Sequence, residues 1–133
     1  MGLCFWEAII SSIPQKDFEE IFKYTSGLKP HPHEFVKILK DNNIVTNNVF
    51  WNDEELIKNQ IDENFTAINE LDINGINKGY LCSIFDPFLF LVCELLKITI
   101  EHNYNGHLMV YKHKIENRYT LNFKNNTGHF ERG

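Results

Sequence analysis

The sequence predicts an α+β domain, with helices first and a small antiparallel sheet after them. Three observations carry that expectation. Apolar residues recur at helical spacing in segments from Cys4 to Leu96. From Ile98 the period falls to two, in Ile98-Thr99-Ile100 and again at Tyr119, Leu121 and Phe123. Asn103-Tyr104-Asn105-Gly106 and Asn125-Asn126-Thr127-Gly128 then supply turn chemistry between strands.

Taken in order, Cys4 to Ser12 reads as a first helix, with Phe5, Ala8 and Ile9 on one side and Pro14 as the stop. Gln15 to Tyr24 reads as a second, with Phe18, Ile21 and Phe22 on one face and Gly27 beyond it. A third follows Pro32, from His33 to Leu39. Asn52 or Asp53 is expected to cap a fourth that runs to about Leu71. Asn74-Gly75 and Lys78-Gly79 mark a loop. Asp86 caps an apolar helix with Pro87 in its first turn, ending near Leu96. Strands are expected at Ile98–Ile100, Leu108–Tyr111 and Tyr119–Phe123, and His129 opens a fourth.

The bulk numbers describe an ordinary folded domain. At 133 residues, 43% hydrophobic and 23% charged, the chain is one domain that buries its own core. A net charge of -5 and the lack of any basic run give no footprint for nucleic acid or an anionic membrane. The apolar stretch from Phe85 to Ile100 is broken by Asp86, Pro87, Glu94 and Lys97, so it does not read as a spanning helix. Phe5 to Ile13 lacks the basic flank of a signal peptide. Three cysteines without C-x-x-C spacing argue against a disulfide framework and for a reducing, cytoplasmic setting. The chain starts on a motif and stops two residues after Glu131, the outline expected of a domain excised from a longer protein.

That motif is Met1-Gly2-Leu3-Cys4-Phe5-Trp6-Glu7-Ala8-Ile9. A thiol at a helix start faces unpaired N–H groups and the positive end of the helix dipole, which favour a nucleophilic thiolate. Thiolate attack on a carbonyl also needs a base and a group that orients the base. His129, at the far end of the chain, is the candidate base. Glu131 shares a strand face with it and is the candidate orienting group, with Asn125 or Asn126 as alternatives. Backbone N–H groups around Cys4, where Gly2 permits close approach, would hold the oxyanion.

The segment Gly2-Leu3-Cys4-Phe5-Trp6-Glu7-Ala8-Ile9 resembles the nucleophile motif of the ovarian-tumour (OTU) family of cysteine proteases, D-G-N-C-L-F-R-A-I. Gly2, Cys4, the aromatic Trp6, Ala8 and Ile9 match without a gap. Phe88 to Ile100 is similar to the family's helix-then-strand passage, and Gly128-His129-Phe130-Glu131 resembles its G-H-Y-D ending. The resemblance implies a papain-like fold that removes ubiquitin or ubiquitin-like modifiers by cleaving after a Gly-Gly terminus. Cys4 would be the nucleophile, His129 the base and Glu131 its orienting partner. It implies a cytoplasmic monomer, in the host cell if the source is a virus or a bacterial effector, with ubiquitin as partner and no cofactor. Trp6 and Phe130 are candidate walls of a narrow cleft. Two departures stand out: Met1 occupies the family's Asp position three residues before the cysteine, and Glu131 replaces Asp or Asn. Two alternatives follow, a decayed protease-fold interaction domain and a papain-like protease that processes a viral polyprotein.

Other constellations read as structural. His31-Pro32-His33 lacks further ligands at zinc spacing. Asp72-Ile73-Asn74-Gly75 misses the register of a calcium loop. Cys82 and Cys93 lie on apolar stretches and read as packing residues. Asp53-Glu54-Glu55 reads as a solvated helix start.

Overall fold

The computed structural model describes residues 3–126 and 129–133, and the side chain of Asn126 is outside that description. Its elements follow the order α1 (Cys4–Ser12), α2 (Gln15–Glu20), α3 (Pro32–Asp41), β1 (Val49–Trp51), α4 (Lys58–Glu70), a 3-10 turn (Ile73–Lys78), α5 (Pro87–Leu96), β2 (Thr99–Tyr104), β3 (His107–His113), β4 (Thr120–Asn126) and β5 (His129–Arg132). The expected α+β class is observed, with helices and a five-stranded sheet in the order β1-β3-β2-β4-β5.

Helix α5 is the centre of the core. Every residue from Phe88 to Glu94 is buried, as is Leu96. The Asp86 carboxylate accepts from the Phe88 and Leu89 N–H groups at 2.9 and 3.4 Å, two of the donors a helix start leaves unpaired. Its second oxygen accepts from the Tyr80 hydroxyl at 2.9 Å and the Ser83 N–H at 3.1 Å. Asp86's own N–H donates to the Tyr111 hydroxyl at 3.0 Å. One buried carboxylate therefore fixes α5, the loop before it and, through its backbone, strand β3. Burial pushes this carboxyl above its ordinary range against those hydrogen bonds.

One face of the sheet is buried and the other is open, which explains the period-two pattern. Ile100 and His102 of β2, Leu121, Phe123 and Asn125 of β4, and Phe130 of β5 point inward and are buried. Asn122, Lys124, His129 and Glu131 are exposed. Asn105 and Gly106 join β2 to β3 with φ of 49° and 91°, the left-handed pair a two-residue hairpin demands.

Several expectations need correction. The sheet is mixed rather than antiparallel, because β4 lies parallel to β2 from Thr99↔Thr120 to Tyr104↔Asn125. The cause is the connection after β3. Arg118 N–H bonds to the Lys97 carbonyl and Thr99 N–H to the Tyr119 carbonyl, which brings β4 back beside the start of β2. β5 then pairs with β4 alone and forms an edge of the sheet. The fourth helix starts at Lys58, because Asn52 and Asp53, at φ 49° and 66°, form a turn after an unexpected strand, β1. Asn and Asp suit both caps and left-handed turns, so the sequence reads either way. α2 ends at Glu20, four residues short of Tyr24.

A second polar tie anchors α2. Buried Asp17 receives both terminal nitrogens of Arg118, at 2.7 and 3.2 Å, and the Tyr119 hydroxyl. Burial alone would raise its carboxyl, but the bonds from Arg118 and Tyr119 outweigh it and hold the carboxyl below its usual range. The stability this pair contributes is full above the unfolded Asp value of about 3.9 and is lost as pH falls through the lower folded value. Asp17→Asn should cost about 1.5–3 kcal/mol at neutral pH and lessen the acid dependence, as read from urea midpoints across pH. Asp86→Ala should cost about 2–3 kcal/mol, more than a lone cap, since Tyr80 and Ser83 also lose their acceptor. Asp86→Asn should recover part of that loss in the same measurement.

Candidate functional site

Cys4 is the first residue of α1, and Leu3 before it offers no side-chain cap. The thiol is half-buried. Phe5 and Trp6, which follow it, are fully buried and lock the helix to its neighbours. Phe5 lies 4.5 Å from the Tyr80 ring and 4.8 Å from the Phe130 ring, centroid to centroid. The helix that begins with Cys4 therefore packs directly on β5, the strand that begins with His129. The two ends of the described chain are brought together by an aromatic contact.

Cys4 opens on a cavity of about 40 Å³, lined also by Tyr80, Leu81, Cys82, Tyr104, Asn105, Asn125 and Phe130. That is room for a carbonyl oxygen or a few water molecules. Of its two thiols, Cys82 is held protonated, since burial and the nearby Asp86 push it far up. Cys93 is also pushed up by burial and donates to the Ile98 carbonyl at 2.9 Å, a packing role.

His129 and Glu131 share the outer face of β5, with a ring nitrogen 3.6 Å from a carboxylate oxygen. Glu131 also lies 3.4 Å from the Lys124 ammonium, across the β4–β5 ladder. Phe130 takes the inward position between them, so Phe130 and not His129 faces α1. Among the described residues no hydrogen bond joins Cys4 to His129. Asn125 pairs across the ladder with Phe130 and points inward. Its side-chain carbonyl meets His102 rather than His129. Gly2, Met1, Thr127, Gly128 and the Asn126 side chain lie outside the described residues.

His102 is the residue that sequence reasoning missed. It is fully buried on the inward face of β2, with Nε2 against the Asn125 Oδ1 and 4.0 Å from the Cys82 sulfur. Its Nδ1 has no partner. Burial lowers its pKa below the ordinary histidine value, with the Asn125 bond working the other way. A neutral ring best carries its proton on Nε2, because a bare buried acceptor costs less than a buried N–H without a partner. The signal was its place two residues after Ile100, which a longer second strand would have put on the core face.

The remaining candidates are structural. His31 caps α3 through its N–H bond to Glu34 at 3.0 Å, and Asp72 accepts from the Asn74 N–H at 3.0 Å. Among the described residues no group of three or more His, Cys, Asp or Glu is placed to hold a metal. No helix there is long and apolar enough to cross a membrane. A larger groove of about 480 Å³ between α4 and Ser83–Pro87 contains no thiol.

The unfolded chain binds a proton at His102 near pH 6.5, before the folded chain does. Its contribution is therefore full above about pH 6.5 and falls as the pH drops toward the lowered folded value. His102→Gln should flatten this fall, measured as denaturant midpoints between about pH 5 and 8. An unchanged slope would mean that other groups cause it.

No protein-family model, curated protein or solved structure matches this chain, so its family is not fixed by comparison.

Proposed function

We propose that this chain is an OTU-like, cysteine-dependent hydrolase that cleaves ubiquitin or ubiquitin-like conjugates after a Gly-Gly terminus. The observation that carries the reading is Cys4, half-exposed at the uncapped start of α1, in a narrow cavity on a helix that packs against the strand bearing His129 and Glu131. In this reading Cys4 attacks the carbonyl and His129 takes and returns the proton. Glu131 orients the imidazole. Tyr80, Tyr104 and Phe130 narrow the cleft beside Cys4, which suits glycine next to the scissile bond. The reading requires the start of β5 to shift when substrate binds, so that His129 reaches Cys4 with Glu131 still beside it.

The outward set of His129 favours one other reading, a protease-fold interaction domain without catalysis. A ubiquitin carrying a C-terminal propargylamide separates the two. A covalent adduct that Cys4→Ala abolishes and Cys82→Ala retains is the expected result. A folded protein that forms no adduct, or one that survives Cys4→Ala, would sink the hydrolase reading. With a ubiquitin fluorogenic amide, His129→Ala should lower kcat by about 100-fold or more. Glu131→Ala should lower it by less, since an orienting group contributes less than the base.

A further inference from the structure

We propose that Asn125 is the oxyanion donor of the Cys4 site and that His102 is the positioning residue that aims it. The inference rests on reading Cys4 as the nucleophile, and it supplies a donor from the far end of β4. Asn125 is 7% exposed and lines the Cys4 cavity. Its Oδ1 is engaged by His102 Nε2, which turns the amide so that the other arm, Nδ2, is the free one. Among the described residues Nδ2 has no hydrogen-bond partner. A donor that lines the cavity and is not bonded among the described residues is available to an acceptor placed there. The cavity, at about 40 Å³, has room for a carbonyl oxygen.

The chemistry balances with the groups already named, since His129 takes the Cys4 proton before attack and returns it to the nitrogen of the leaving group. The Cys4 sulfur forms a bond to the carbonyl carbon, and the π pair moves to oxygen. The Asn125 N–H donates to that oxyanion. When the pair returns, the bond to the leaving group breaks and a thioester remains on Cys4. Because His102 is a fixed neutral ring in the core, it cannot shuttle the proton. It holds the amide in the one orientation that presents a donor, so the site has no reorganisation to make as charge develops.

The test compares two reactions of the same thiol. Acylation of Cys4 by p-nitrophenyl acetate passes through an oxyanion, whereas alkylation by iodoacetamide does not. Neither needs ubiquitin. Asn125→Ala should slow acylation by about 100-fold and leave alkylation within about threefold of the wild type. Asn125→Asp, which keeps the shape and the acceptor for His102 but replaces the donor with an acceptor, should slow acylation at least as much. His102→Gln should lower the ratio of acylation to alkylation by a smaller factor, a change that a merely structural role would not produce. Equal effects on both reactions, or none on acylation in a folded Asn125→Asp protein, would overturn the proposal. Loss of ubiquitin cleavage with the ratio intact would instead remove the substrate assignment and leave the donor in place.

Discussion

The arrangement around Cys4 depends on one buried carboxylate. Asp86 ends the loop before α5, and its two oxygens divide their work. One satisfies the helix start, while the other holds the Tyr80 hydroxyl and the Ser83 N–H. Tyr80 in turn lies against Phe5, Trp6 and Phe88. The wall of the cavity is therefore positioned by a buried carboxyl directly behind it. A carboxylate that is fully buried is tolerated only because every hydrogen bond it can accept is directed at it by backbone and hydroxyl groups. Asp86 is costly to hold and costly to remove, which makes it a better anchor than an apolar residue would be.

The sheet applies a second constraint, parity. Inward positions run Ile100, His102, Tyr104 on β2 and Leu121, Phe123, Asn125 on β4, in register across the parallel ladder. At one end the facing pair is Ile100 and Leu121, and toward the other it becomes polar, with Tyr104 opposite Asn125. A single face thus grades from closed core to the floor of a cavity. The same parity separates His129 from Phe130, so the strand that completes the core must present its imidazole to the opposite side.

Much of this was legible in the sequence, in proportion to how local its cause was. Helix α1 was read to its residue boundaries, and the Asp86 cap with Pro87 was read correctly, because a cap and a period are properties of neighbours. The Asn105-Gly106 hairpin was legible for the same reason. What failed was long-range. Nothing near Thr120 says that β4 will lie beside β2 rather than β3, since that follows from Arg118 reaching the Lys97 carbonyl and Asp17. Asn52-Asp53 was misread because its chemistry serves two structures equally well. Cys4 and His129 were singled out, yet the partner of Asn125 was unreadable, because His102 sits beyond the point where the strand was expected to stop.

The packing of α1 on β5 has a consequence for the order of events in synthesis. The thiol-bearing helix leaves the ribosome well before Asn125 and Phe130, which lie far along the same chain. Until β5 docks, Phe5 lacks the Phe130 ring and the cavity lacks the wall that Phe130 supplies. The nascent chain therefore carries an ordinary exposed cysteine, and the environment that distinguishes it arises only when the most sequence-distant contacts close, the step that loop-closure entropy makes slowest. Such timing confines the site to the finished fold.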